Sequence, residues 1–215
     1  YKAYKSGVDF PEKKLDVEPY FLGLWLGDGT SENTSVTTAD KEIVGYLHGY
    51  ADRNGWKVTV RNQPGNKSSV FSIVRAKNHQ PVDKRSKAGF GNAVSLKDKL
   101  NQLGVIGNKH IPQEYKVNSR GNRLKLLAGL IDSDGFINSP GIKFSNKNKK
   151  LCEDLIFVAR SLGFFASMWG GIVAGTTYYT VYINSKELNS IPLLLGRKIK
   201  SAPPQGDAAP IAEPA

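Results

Sequence analysis

Residues 126–137 read L-L-A-G-L-I-D-S-D-G-F-I, and residues 21–29 read F-L-G-L-W-L-G-D-G. Each is a nearly all-apolar run at helical length that ends in an aspartate followed by a glycine, Asp28-Gly29 in the first and Asp134-Gly135 in the second. A helix that is apolar all round has to be buried. Small residues recur at helical spacing, Gly23 and Gly27 in one run and Gly129 and Ser133 in the other, which lets two helix backbones approach closely. The pair therefore reads as one helix-on-helix seam, the feature to which every other element must conform.

The helix ends carry the chemistry. A carboxylate in the last turn lies beside unpaired carbonyls at the negative end of the helix dipole, which is unfavourable unless positive charge is supplied. Carboxylate and carbonyl oxygens together form the donor set that a hard divalent cation such as Mg²⁺ prefers. A single Asp-Gly ending could equally be a helix stop with a glycine terminator, but two copies favour the functional reading.

The segment L-A-G-L-I-D-S-D-G at residues 127–135 resembles the signature of the LAGLIDADG homing endonucleases, departing from it only at Ser133. The first copy is looser. It keeps Gly23, Leu24, Asp28 and Gly29, with Trp25 and Leu26 in the middle, a variant similar to those of intein-embedded members. The resemblance implies an α+β fold of two pseudo-symmetric α-β-β-α-β-β-α halves, with antiparallel sheets forming a saddle over duplex DNA and the two motif helices delivering both aspartates to its centre.

Composition agrees with a nucleic-acid partner. Thirty Lys and Arg against 19 Asp and Glu give a formal net charge of +11, which favours a polyanion. A hydrophobic content of 40% supports a full core. The one cysteine, Cys152, excludes an internal disulfide framework or a multi-cysteine zinc site and reads as a small core residue. No apolar run has the length of a membrane span and no signal peptide opens the chain, so no membrane partner and an intracellular location are expected, nuclear in a eukaryote.

Periodicity outlines the two halves, residues 19–112 and 113–200, between a lead-in at 1–18 and a Pro/Ala-rich tail at 201–215 expected to be disordered. In the first half, strand-like residues 30–38 precede a helix at 41–54 that Asp40 is placed to cap and Gly55 ends. Strands at 56–62 and 69–76 flank a Gln-Pro-Gly-Asn turn, residues 92–96 read as one more short strand, and a helix at 95–103 stops at Gly104. The second half repeats this order with strand-like 136–145, a helix at 149–162 ended by Gly163, strands at 164–172 and 176–184, and a last helix at 185–195 before Gly196. From Asp28 to Gly55 is 27 residues and from Asp134 to Gly163 is 29, the spacing of an internal duplication. Two motif helices in one chain imply a pseudo-twofold monomer.

The resemblance implies a site-specific endonuclease that cuts both strands of a long double-stranded DNA target by Mg²⁺- or Mn²⁺-dependent phosphodiester hydrolysis. Asp28 and Asp134 would hold the metal, with the backbone carbonyls of Gly27 and Ser133 as further ligands by their place at the helix ends. Family members also set a basic residue near each scissile phosphate. Lys109, in N-K-H-I-P, matches the lysine of intein-type members, and Lys198, in G-R-K-I-K, is its counterpart in the second half, with a basic residue in a C-terminal extension as the alternative. Among the strand candidates Arg61, Arg75 and Lys143 are able to meet phosphates or base edges, and each could instead be a solvated surface charge. Splicing requires a nucleophile at the first residue and a terminal His-Asn, whereas this chain opens with Tyr1 and closes with Ala215. An endonuclease domain separated from its host, or a free-standing relative, is therefore expected. The competing function is a cleavage-inactive nucleic-acid binder, an RNA maturase or a DNA-binding regulator, which would need the basic saddle but not both aspartates.

Overall fold

The computed structural model describes residues 6–76, 94–138 and 140–199. At its centre α1 (Pro19–Asp28) packs along α5 (Arg120–Asp134). All residues from Pro19 to Leu26 are buried, as are those from Leu126 to Asp132, so neither helix keeps a solvent face through the shared segment. A Cβ on Gly23 would run into the Leu126 carbonyl, one on Gly129 into the Tyr20 carbonyl, and one on Gly27 into the Ser133 hydroxyl. The backbones are in contact because these side chains are missing or small. Pro19 starts α1 where its absent N–H costs nothing.

Each half wraps a sheet and further helices around its seam helix. In the first, β1 (Ser35–Thr38), α2 (Lys41–Arg53), β2 (Trp56–Asn62), β3 (Ser69–Arg75) and α3 (Leu96–Gln102) follow α1, and the antiparallel strands lie in the order β1-β3-β2. A short α4 (Gln113–Lys116) leads into α5. The second half continues with β4 (Gly135–Asn138), β5 (Gly141–Asn146), α6 (Lys149–Ser161), β6 (Phe165–Val173), β7 (Thr176–Asn184) and α7 (Gly196–Ile199), and its sheet runs β4-β5-β7-β6. The isolated bridge Gly29↔Val36 occupies in the first sheet the place that β4 fills in the second, so the duplication holds strand for strand.

Alternation assigns the faces. Val36, Trp56, Phe71 and Ile73 in one sheet, and Ile142, Phe144, Val181, Ile183 and Ala166 in the other, are buried in the common core with Leu47, Leu151 and Leu155 of the covering helices. Cys152 is in this core. Among the described residues no helix is long and apolar enough to cross a membrane.

Several local expectations differ. Residues 30–38 supply strand only from Ser35, because Thr30 to Asn33 form a turn, the Asn33 amide donating to the Thr30 carbonyl at 3.2 Å and the Asn33 carbonyl taking the Trp25 indole N–H at 2.8 Å. Asp40 holds the N-cap position of α2 but makes no side-chain cap; its carboxylate binds Arg197 at 3.0 Å instead. The helix expected at 185–195 is only a 3-10 turn, Leu188–Ser190, because Pro192 interrupts it and the Leu194 and Leu195 amides bond to buried Asp132 rather than to a helix. The segment before Pro19 is not a loose lead-in: Val8 pairs with the Ser161 carbonyl, and Arg123 donates to the Val8 carbonyl and stacks on Phe10 at 4.9 Å. Of the strand expected at 92–96, residues 92 and 93 lie outside the described residues and the rest is not strand, Ser95 capping α3 and Leu96 opening it; the 201–215 tail lies wholly outside the described residues.

The seam makes a direct prediction. Gly129→Val must separate α1 from α5, and it is expected to destabilise the chain by about 3 kcal/mol or more, since overpacking of a backbone contact exceeds the usual core penalty. Gly45→Ala, on the exposed face of α2 with open space around its Cβ, is expected to stabilise by roughly 0.5–1 kcal/mol. Urea denaturation of the two variants checks both signs.

Candidate active site at the paired helix ends

Because α1 and α5 run together to their C-termini, Asp28 and Asp134 share one half-buried site. Burial raises both carboxyls above the usual aspartate range. For Asp28 the neighbouring Asp134 charge adds to this, and its pKa is pushed up to about 6. Asn146, at the end of β5, approaches Asp134 Oδ2 at 3.4 Å.

Both lysines singled out in the sequence arrive here. The Lys109 ammonium donates to the carbonyls of Gly27 at 3.1 Å and Gly29 at 2.7 Å and lies 5.2 Å from the Trp25 ring centre. Lys198, 6% exposed, donates to the carbonyls of Ile131, Asp132 (2.9 Å) and Ser133 (3.4 Å). Each seam helix thus has its terminal carbonyls covered by one cation, half-buried Lys109 or buried Lys198, which offsets the dipole and the carboxylates. Burial pulls both ammonium groups down, Lys109 to about 8, against the opposing pull of the two aspartates on Lys109 and of Asp132 and Asp28 on Lys198. Their equivalent placement makes Lys198 the structural counterpart of Lys109 despite its different sequence context.

The carbonyls of Gly27 and Ser133, expected as metal ligands, each accept from a lysine. Among the described residues no cluster of three or more His, Cys, Asp or Glu side chains forms a metal cage. The available donor set is two carboxylates and helix-end carbonyls, all oxygen, with unbalanced negative charge on Asp28. That set fits a hard cation that retains water in most of its coordination positions.

Of the strand residues, Arg61 lies on the open face of the first sheet with Lys57 and Thr59. Lys143 lies on the open face of the second sheet, in a cross-strand row with Phe136, Tyr182 and Ser167. Arg75 is on the opposite face, in line with Phe71 and Ile73, and pairs with Asp98 of α3 at 3.2 Å. Sequence reasoning left out the aromatic residues of the second open face, Phe136 at 64% and Trp169 at 49% exposure. Their signal was alternation with the buried residues of β4 to β7. It also missed Trp25, whose indole N–H fixes the turn after α1 and whose ring supports Lys109.

A folded-state pKa above the unfolded one means that the folded chain binds more protons between the ordinary aspartate range and about pH 6, so stability falls as pH rises through that window. Asp28→Asn is therefore expected to raise the thermal midpoint in metal-free buffer near pH 7.5, by roughly 3 °C for each ~1 kcal/mol in a chain of this size, and to change it little below about pH 4. Thermal melts at both pH values check this; a lowered midpoint near pH 7.5 would mean that the lysines depend on Asp28 more than Asp28 suffers from burial.

Comparison with known proteins agrees with this geometry. Residues 121–190 match a family described as LAGLIDADG-like domain. A replicative DNA helicase DnaB from Mycobacterium intracellulare is 33% identical over 159 residues, 73% of this chain and 21% of that protein. The homothallic switching endonuclease of Saccharomyces cerevisiae is 28% identical over 163 residues, 69% of this chain and 28% of that protein. The chain thus spans between a fifth and a third of the length of these relatives. Among solved structures, I-DmoI in complex with DNA and Ca matches with a TM-score of 0.57 at 13% identity, covering 85% of this chain and 95% of that one. I-DmoI with DNA and Mn matches with a TM-score of 0.52 at 15% identity, covering 78% and 88%. By motif and family match, residues 121–190 carry a LAGLIDADG-like domain, and the duplicated fold around it is similar to that of I-DmoI.

Proposed function

We propose that the chain is a site-specific DNA endonuclease that breaks both strands of a duplex by divalent-metal-dependent hydrolysis, acting as a monomer. The observation that carries this reading is the convergence of Asp28 and Asp134 at one junction, each helix end being held by its own lysine. A binding protein with no cleavage activity gains nothing from two desolvated carboxylates at one point. The relative named as an endonuclease and the I-DmoI complexes with DNA and Mn or Ca support the same chemistry here.

Asp28 and Asp134 would hold Mg²⁺ or Mn²⁺, with the Gly27 and Ser133 carbonyls behind them. The bound ion would supply Lewis-acid stabilisation of charge on the attacking and leaving oxygens. Lys109 and Lys198 hold cationic N–H donors at the two helix ends, one for each strand of a twofold-related substrate, where they stabilise negative charge developing on phosphate or orient the attacking water. The Lys109 ammonium, with its pKa near 8, is charged at neutral pH.

The open sheet faces would take the DNA. Lys57, Thr59 and Arg61 present cationic and hydroxyl groups suited to phosphates and base edges, whereas Phe136, Tyr182 and Trp169 beside Lys143 present apolar area suited to thymine methyls and sugars. Arg75, turned to the helix side and paired with Asp98, is left out of this surface. The net charge of +11 gives the electrostatic share of affinity. Intracellular action on a long target, and an origin within a splicing host protein, belong to the same proposal.

Cleavage of a plasmid carrying the host gene's uninterrupted insertion site, with Mg²⁺ and with EDTA, tests the reading: linear product with Mg²⁺ and intact plasmid with EDTA are expected. Asp28→Asn and Asp134→Asn are each expected to abolish double-strand cleavage and to leave DNA binding largely intact. Full cutting by either variant would reject the two-carboxylate mechanism, and binding without cutting by the wild type would favour the maturase or regulator reading.

Lys109→Met is expected to slow single-turnover cleavage by about 10²- to 10³-fold, the equivalent of a few kcal/mol of barrier, with a smaller change in binding. An unchanged rate with weaker, less salt-dependent binding would make Lys109 a phosphate contact only.

A further inference from the structure

The segments that carry the two lysines are each held by the half to which they do not belong. Lys109 lies near the end of the first half, yet its own carbonyl accepts from Asn148 Nδ2 at 2.6 Å, and Asn148 is the N-cap of α6 in the second half. Two residues on, the Ile111 amide donates to Asp154 Oδ2 of α6 at 3.1 Å. Lys198 ends the second half, and its neighbour Arg197 makes a two-pronged contact with Asp40, Nε to Oδ1 at 3.3 Å and Nη2 to Oδ2 at 3.0 Å. Asp40 is the N-cap residue of α2 in the first half.

Asp40 and Asn148 are equivalent residues of the duplication. They lie 12 and 14 residues after Asp28 and Asp134, and each opens the helix that covers its own sheet. Asn148 does both tasks at once, since its Oδ1 caps the Leu151 amide at 3.1 Å while its Nδ2 reaches Lys109. Asp40 leaves its helix uncapped and spends its carboxylate on Arg197. A surface carboxylate at an N-cap position ordinarily gains from capping, so its diversion across the pseudo-twofold axis marks a constraint on the Arg197-Lys198 segment.

We propose that Asp40 and Asn148 are paired positioning residues, a reciprocal latch by which the first helix cap of each half sets the lysine of the other. Lys109 comes from a non-helical stretch and Lys198 from the four-residue α7, neither from the interior of a long element, so contacts outside the lysines themselves are needed to fix where each ammonium group meets its carbonyls. Because each latch crosses the axis, neither half can align its lysine unless the two halves are docked. That ties cutting competence of both strands to one docked arrangement.

This inference rests on the endonuclease reading only for its catalytic consequence, so its test has two arms. Asn148→Asp keeps the oxygen that caps α6 and removes the donor to Lys109; Asp40→Asn keeps shape and removes the charge on Arg197. In the DNA-free protein, amide hydrogen exchange is expected to speed up at residues 109–111 in Asn148→Asp and at residues 194–199 in Asp40→Asn, with the rest of the chain unchanged. Exchange that rises in the variant's own half instead, or not at all, overturns the latch whether or not the wild type cuts DNA. On a plasmid target that the wild type cuts, single-turnover rates of each strand are read separately. Each variant is expected to lose about tenfold on one strand, within the range that small misplacements cost, with the two variants nicking opposite strands and binding DNA as before. Adding Arg197→Asp to Asp40→Arg should restore the rate lost by Asp40→Arg alone. Equal loss on both strands, or no rescue by the exchanged pair, would reject a positioning role.

Discussion

Everything in this chain depends on two helix backbones touching. With Gly23 against Leu126 and Gly129 against Tyr20, α1 and α5 come closer than side chains normally permit, and Gly27 meets Ser133 one turn further on. Close approach brings the C-terminal carbonyls of both helices, and the aspartates that follow, into a single small volume. Two negative dipole ends and two carboxylates side by side are an electrostatic arrangement that water would relieve and burial aggravates. The site's chemistry follows from that conflict.

The conflict is settled by cations brought in from elsewhere in the chain. Lys109 and Lys198 satisfy orphan carbonyls that a helix terminus would otherwise leave to solvent, and in doing so Lys109 becomes half-buried and Lys198 buried. Their pKa values fall because burial outweighs the attraction of the aspartates, and the aspartates rise because burial outweighs the attraction of the lysines. A set of charges that are all less than ideally compensated is poorly suited to stability alone and well suited to receiving a further cation and a phosphate. This is the usual signature of a functional site set into a stable frame.

The frame was legible in the sequence for simple reasons. The seam is encoded in unbroken apolar runs with small residues at helical spacing, and the sheets in period-2 alternation bounded by Gly and Pro, signals that depend only on local sequence. The two aspartates were legible because the duplication repeats them at matched places, and the two lysines through the family resemblance, since they lie 81 and 64 residues beyond their aspartates and spacing does not join them. What was not legible depends on partners distant in sequence. Asp40 reads as a cap until Arg197, 157 residues away, claims its carboxylate. Residues 185–195 have helical spacing, yet Asp132 takes the amides of Leu194 and Leu195. Arg75 has the composition of a DNA contact, but strand parity puts it on the helix side with Phe71 and Ile73.

Duplication with divergence leaves the two halves alike in backbone and unlike in surface. Position 26 in the first motif is Leu and its counterpart in the second is Asp132, so the second motif carries a buried carboxylate where the first carries none, and that carboxylate takes the Tyr20 hydroxyl of the first helix at 2.9 Å as well as the C-terminal segment. Lys198 is therefore fixed from both sides of the seam, while Lys109 relies on α6 and on the Trp25 ring. The open faces diverge in the same way, cationic and hydroxylic in the first half and aromatic in the second. Under the proposed endonuclease function a palindromic duplex would present identical chemistry to both halves, which these unlike faces could not both match, whereas an asymmetric sequence would let each face meet its own complement. Holding both halves in one chain makes that asymmetry possible, and the seam glycines keep the two helix ends together however far the outer faces diverge.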